Sequence, residues 1–551
     1  MRKYYLLFAL MWIATTQAQT IINNPILSGF YPDPSIVKVG TDYYLVNSTF
    51  VYLPGIPVFH SKDLKNWKQI GSVVTRPAQM DFMGEQVSRG LFAPAISYYD
   101  GLFYITCTDI DHDGNFIMTA KNPAGPWSNP ILLPKVKGID PSLFFDEDKA
   151  YIIYNSDAPE RKPLYDGHRT IRMYELDKEN FSVKGEETIL VNGGVDISTK
   201  PVWIEGPHIY KRNDYYYLCA AEGGTSVNHS QVILRSKNVR GPYIPYDKNP
   251  ILTQRHLDPN RKNPITSAGH ADLVEGPDGN TYAIFLAVRP YEGNYYNTGR
   301  ETFLAPVKWT ADGWPIINPD HQEIQYQFTV NWPEVKQNAT PQSGAFTYRH
   351  TFKDTLDYSF LFLRSHDKSW LKLSAQKGLT LQLKPETCMD FSNPAFVGKR
   401  QQHAFATVVT EMDFKAAKEN EKAGLLIFQN EFHFYYISKS VANGSPVIQL
   451  FKGNKASKSM DLLQEQKLTA TNTKVWLKIE AKGASYDFSY AQQSQKWKIL
   501  ASNLDGKYLS TQQAGGFVGA LFALYASANG KASTNTASFK YLDYEGVDLK
   551  Q

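Results

Sequence analysis

The 551-residue sequence predicts an all-β protein, a five-bladed β-propeller followed by a β-sandwich. Two observations carry that prediction. A lead motif, an apolar strand, a turn and an aromatic strand recur five times in the first half. From about Ala345 onward, apolar and polar residues alternate in segments separated by turns. The length exceeds what one hydrophobic core supports, so two units are expected in any case.

The chain opens with MRKYYLLFALMWIATTQA: a basic start, an apolar run from Tyr4 to Ala14, then small residues at Thr16 and Ala18. This pattern predicts a secretory signal peptide over residues 1–18, cut after Ala18. No cysteine follows the run to take a lipid, and no later stretch is long and apolar enough to span a bilayer. The expected product is exported, to the periplasm or the medium. The three cysteines, Cys107, Cys219 and Cys388, sit in apolar strand-like segments and are expected to be buried thiols. With 58 Lys plus Arg against 54 Asp plus Glu and no basic block, neither nucleic acid nor a membrane surface is expected as partner. Aromatic residues make up 13% of the chain, which suits strand cores and sugar-stacking surfaces.

The five copies begin DPSIVKV at Asp33, APAISYY at Ala93, DPSLFFD at Asp140, EGPHIYK at Glu205 and HADLVEG at His270. Their starts lie 60, 47, 65 and 65 residues apart. Each copy places turn-formers such as Gly-Thr-Asp or Pro-Asp-Gly between two strand-like runs, a hairpin signal. Hairpins repeated at this spacing, with no 3.6-residue period, describe propeller blades over residues 19–318. The innermost strands of a propeller line one channel, so the lead positions converge on its axis.

Three of the five lead positions carry a carboxylate: Asp33, Asp140 and Glu205. Ala93 shows that the motif folds without one, which argues against a purely turn-forming role. Aligned on the prolines, Gly206 stands opposite Asp33 and Asp140, so Glu205 sits one residue early. Converging carboxyls can cleave an acetal by single displacement. One protonates the leaving oxygen, another activates water across the sugar, and a third raises the acid's pKa; acid and base should stand about 6.5–9.5 Å apart. The same set could instead bind Ca²⁺. DIDHDGN at 109–115 has the look of a calcium loop, but without a glutamate at its far end it is expected to be a solvated loop. No phosphate loop, HExxH, GxSxG or paired-cysteine metal site is present.

At these residues the chain resembles the glycoside hydrolase family 43 enzymes, in the β-xylosidase and α-L-arabinofuranosidase branch with a C-terminal concanavalin A-like β-sandwich. The resemblance runs from about Asn24 to the end. It rests on NPILSGFYPDPS, NSTFVYLPGIPVFHSKDLKNW, LFAPAISY, GIDPSLFFD, WIEGPHIYKR, AEGGTSVNH, GRETFLAPVKW, FVGKRQQH and GFVGALFALYAS. It implies Asp33 as general base, Asp140 as the tuning aspartate and Glu205 as general acid. It points to Phe50 as the ring packed on the sugar and to Arg289, in LAVRP, as the arginine that bonds its hydroxyls; a buried partner would equally account for Arg289. His270 matches a histidine near the axis that helps to hold water or a cation, which leaves room for a structural Ca²⁺ there, although no cofactor is required. Thr225 and His229 match a pocket-edge segment. Phe92 departs from the family, since many relatives carry tryptophan at that place.

QYQFTVNWPEVKQNATPQSG is expected to lie in a linker, residues 319–343, leading to the sandwich at 344–551. The resemblance implies that this sandwich packs on the propeller and adds a loop to the pocket rim; an independent carbohydrate-binding module is the other reading. The expected activity is release of terminal xylose from xylo-oligosaccharides with inversion. α-L-Arabinofuranosidase is the nearest rival, and a non-catalytic sugar-binding propeller the next. The expected partner is a hemicellulose oligosaccharide, and a homo-oligomer is left open.

Overall fold

The computed structural model describes residues 19–333, 335, 340–469 and 472–547. The expected signal peptide lies outside them. Strands dominate, and the first unit is built from five antiparallel four-stranded sheets, the fourth extended by the short strand Leu252–Thr253. Their innermost strands are Ser35–Val39, Leu91–Tyr99, Ile139–Asp146, Glu205–Arg212 and Thr266–Glu275. Each of these strands touches the next, and the fifth touches the first, so the sheets close into a ring.

Side chains clasp the closure. Asp272 of the fifth sheet accepts from Ser35 Oγ and from Ile36 N of the first, both at 2.9 Å, and from Tyr210 Oη of the fourth at 2.6 Å. Ser35 Oγ in turn accepts from Ile96 N of the second sheet at 3.1 Å. One buried carboxylate thus joins the ends of the ring, because every strand edge turned toward the axis must find partners.

The lead position of each innermost strand has a left-handed backbone: Asp33 (φ 51°), Ala93 (41°), Asp140 (56°), Gly206 (56°) and His270 (52°). The hydrogen-bond register slips at the last four of these places, as in a β-bulge. A bulge re-aims the side chain it carries and is common beside active sites. Glycine at 206 has a second cause: a Cβ there would stand 2.8 Å from the His270 ring. No side chain fits at this lead position, so the fourth blade presents its carboxyl from residue 205.

The second unit is a sandwich of a nine-stranded and a six-stranded antiparallel sheet. Val408, Leu477, Ile479 and Phe488 of the larger sheet meet Leu425, Ile437, Leu450 and Phe522 of the smaller across a common core. The strand Phe405–Asp413 of the larger sheet alternates buried with partly buried positions and ends on exposed Asp413. In the smaller sheet Lys422–Asn430 is buried at all but its last residue. A strand buried on both faces reads as an unbroken apolar run. The outer face of this sheet, with Phe396, Leu426, Phe428, Phe434 and Tyr436, packs on Phe50, Tyr52, Val58 and Val73 of the propeller. Strand pairing between Tyr52–Leu53 and Phe362–Leu363 reinforces the contact.

The expected linker is partly structured. Gln327–Val330 pairs antiparallel with Thr20–Asn23, because its alternating residues offer Phe328 and Val330 to the cluster around Ile22 and Trp332. Cys107, Cys219 and Cys388 are buried and unpaired. Among the described residues no helix is long and apolar enough to cross a membrane.

The double-sided burial makes the two units interdependent. Phe428→Ala should cost about 3–5 kcal/mol, read as the shift of a single thermal or denaturant transition. Residues 344–551 produced alone should aggregate or bind a hydrophobic dye; a monodisperse fragment with cooperative unfolding would contradict the packed arrangement.

Candidate active site

Asp33, Asp140 and Glu205 meet in one cavity of about 300 Å³. All three are buried. Phe50, Phe92, Ala93, Ile139, Val202, Trp203, Gly224, Thr225, His270, Arg300 and Phe517 complete its wall. Phe517 belongs to the sandwich, and its N–H donates to Ser88 Oγ of the propeller at 2.9 Å. Its ring stacks 6.3 Å from Phe50 and meets Phe92 edge-on at 5.7 Å, so three phenylalanines from three parts of the fold form one apolar wall.

The carboxyls differ in what surrounds them. Burial works to raise Asp33, but the Arg300 guanidinium, with Nη1 2.7 Å from Oδ1, outweighs it with help from His270 and the Ser48 hydroxyl. Asp33 is therefore held below the usual carboxylate range. Ser48 Oγ donates to Asp33 Oδ2 at 2.7 Å while accepting from Ala93 N at 2.7 Å, which ties the first blade's carboxylate to the second blade's bulge.

Asp140 is raised by burial and by the Asp33 charge, against a hydrogen bond from Gly206 N at 3.1 Å and the attraction of Arg300 and Arg169. Glu205 is raised furthest, by burial and then by the charges of Asp140 and Asp33; Arg300 and a hydrogen bond from Trp203 oppose this only in part. At neutral pH the cavity thus holds one carboxylate that stays ionised and one carboxyl that stays protonated. Environments that push two carboxyls apart in this way allow one to act as base and the other as acid.

Residues 22–315 match the family described as "Glycosyl hydrolases family 43". The chain belongs to that family. Residues 349–545 match the "Beta xylosidase C-terminal Concanavalin A-like domain", which is the sandwich described above. A xylosidase/arabinosidase of Butyrivibrio fibrisolvens is 37% identical, covering 96% of this chain and 100% of its own length. The non-reducing end alpha-L-arabinofuranosidase BoGH43B of Bacteroides ovatus is 36% identical, with 98% and 97% covered. Among solved structures, the xylan beta-1,4-xylosidase of Bacillus halodurans superposes with a TM-score of 0.86 at 30% identity, covering 95% of this chain and 100% of that one. The protein is a glycoside hydrolase, and its family comprises inverting, exo-acting hydrolases.

The structure places most of the residues singled out in this family 43 sequence around the cavity: Phe50, Phe92, Thr225 and His270 line it with the three carboxyls. His229 stands behind the wall. Its ring lies against Gly269, and Nδ1 donates to Ser267 O at 3.0 Å. Burial pushes both His229 and His270 down to about 4, so both imidazoles are neutral at pH 7.

Arg289 is a correction. It does not line this cavity; its Nε and Nη2 grip the buried Glu301 carboxylate at 2.7 and 2.8 Å, and Nη2 also donates to Gln402 O of the sandwich. The arginine in the cavity is Arg300. Arg300 and Glu301 are adjacent, and successive residues of an extended chain point to opposite sides. One therefore reaches the site, and the other reaches the domain seam.

Among the wall residues that escaped sequence reasoning, three carry charge or a ring into the cavity: Arg300, Trp203 and Phe517. Each lies inside a segment that carries the resemblance, GRETFLAPVKW, WIEGPHIYKR and GFVGALFALYAS, but nothing in those segments alone says which side chain faces the axis.

The two arginines should separate cleanly by experiment. Arg300→Ala removes the charge that holds Asp33 ionised, so Asp33 titrates higher and the acid limb of the pH–rate profile moves to higher pH. Arg289→Ala leaves the limb in place and, by stranding buried Glu301, costs about 3–5 kcal/mol of stability.

Proposed function

We propose that this glycoside hydrolase is an exo-acting β-xylosidase that removes terminal xylose from xylo-oligosaccharides with inversion at the anomeric carbon. The observation that carries the reading is the opposed protonation of Asp33 and Glu205 within one phenylalanine-walled cavity. Asp33, ionised by Arg300, takes a proton from water as that water attacks C1. Glu205 gives its proton to the departing glycosidic oxygen as the C1–O bond breaks. The step leaves Asp33 protonated and Glu205 ionised, and exchange with solvent resets the pair. Asp140 assists: its charge raises Glu205, and the Gly206 N–H holds its carboxyl in place. A cavity of about 300 Å³ suits a single sugar ring with its C–H face on Phe50, Phe92 or Phe517.

α-L-Arabinofuranosidase activity is the second reading. The name of the Bacteroides ovatus relative favours it, and L-arabinofuranose can present hydroxyls much as D-xylopyranose does. Rates on the two aryl glycosides decide between them, and a strong preference for the arabinoside would overturn the first choice. Export of the enzyme is supported by the leader-like residues 1–18. A Ca²⁺ beside neutral His270 would be compatible with either activity, and no step requires it.

Glu205→Ala should lower the rate on substrates with poor leaving groups by about 10²–10⁴-fold and spare activated aryl glycosides. Asp33→Ala should cripple both, because water activation is common to them. NMR of the first-formed sugar should show the inverted anomer; net retention would sink the mechanism.

A further inference from the structure

The loop DIDHDGN lacks a terminal glutamate in sequence, yet the fold supplies one from elsewhere. Glu85, in the segment joining the first two sheets, lies beside Asp109 at the end of strand Leu102–Asp109 and His112 in the turn that follows. One ligating atom from each falls within 4.8 Å of the others. Asp109 is therefore buried, which corrects the expectation of a wholly solvated loop.

The buried carboxyls are only partly satisfied. Glu85 is 5% exposed and Asp109 1%; Glu85 Oε2 and Asp109 Oδ1 have no hydrogen-bond partner, while Glu85 Oε1 meets the His112 ring and Asp109 accepts from the backbone of Asp111 and His112. Half-exposed His112 approaches with Nδ1 2.6 Å from Glu85 Oε1 and 3.9 Å from Asp109 Oδ1. The nearby arginines are engaged elsewhere: Arg89 forks onto Asp111, and Arg364 pairs with Glu431 and donates to the backbone carbonyls of Glu85 and Ser392. Two adjacent buried carboxyls without a fixed cation are costly. Burial and Asp109 accordingly raise Glu85.

We propose that Glu85, Asp109 and His112 form a binding site for a small divalent cation, with Zn²⁺ the ion that fits best. Two carboxylates and an imidazole make a mixed oxygen and nitrogen donor set, which suits Zn²⁺ and after it Mn²⁺, whereas Ca²⁺ requires six or more oxygens. Ligands about 2.1 Å from Zn²⁺ stand about 3.4 Å apart in a tetrahedron. The two separations from His112 Nδ1, 2.6 and 3.9 Å, each lie within an ångström of that spacing. The open side of His112 leaves a position for water. The ion would brace the segment carrying Ser88, whose hydroxyl holds Phe517 against the sugar cavity.

The test titrates Zn²⁺, Mn²⁺ and Ca²⁺ calorimetrically into chelator-treated full-length protein, with thermal melts alongside. One Zn²⁺ per chain is expected, with a raised melting temperature. Affinity should fall at least about tenfold in Asp109→Asn and in His112→Ala; the second variant changes a half-exposed residue and guards against misfolding of the first. Failure to take up Zn²⁺ at millimolar concentration overturns the site. So does uptake that is unchanged in both variants, or Ca²⁺ binding tighter than Zn²⁺.

Discussion

Holding an L-residue in the left-handed backbone region costs about 1–2 kcal/mol, and four of the five lead positions are non-glycine residues in that state. The packing around the ring supports that strain because the kink turns each lead side chain toward the common axis. What each blade then presents is a matter of one residue. The first and third present aspartates, the second a methyl group that leaves space, and the fifth an imidazole. That imidazole closes off Cβ space at Gly206, and the fourth blade answers with a longer acid from the position before. The irregularity that looked like a misaligned repeat is a steric consequence of the ring's closing neighbour.

Geometry alone would leave three carboxyls competing for the same protons. Arg300 breaks the tie. It stands against Asp33, so the negative charge settles there; that charge, together with burial, raises the other two, Glu205 furthest. Ser48 and Gly206 hold Asp33 and Asp140 by directed hydrogen bonds, while Glu205 is met by Trp203. The order of acidity thus follows from where one guanidinium sits.

Much of this was legible in the sequence, for physical reasons. Strand periodicity, hairpin turns and a five-fold repeat declare themselves locally, and a carboxylate at a repeated position stands out against Ala93. Arg289 and Arg300 show where legibility stops. Both sit near the fifth blade's strands, and only the pairing of those strands with their neighbours decides which guanidinium meets Asp33 and which meets Glu301. Alternation is the expectation along the whole sandwich, yet Lys422–Asn430 is buried at all but its last residue, because the surface that covers its outer face lies hundreds of residues away in sequence. Glu85 is the same lesson in reverse: a loop lacking its acid in sequence gains one across the fold.

Phe517 enters the sugar cavity from a domain that supplies none of the three carboxyls. One wall of the space around the sugar is therefore written in a different stretch of the gene from the acids that cleave the bond. Drift or recombination in the turn around residue 517 can retune which pentose is admitted while the proton-transfer apparatus stays intact. That division offers a plain route by which one catalytic ring diversifies among the many sugar linkages of plant cell walls.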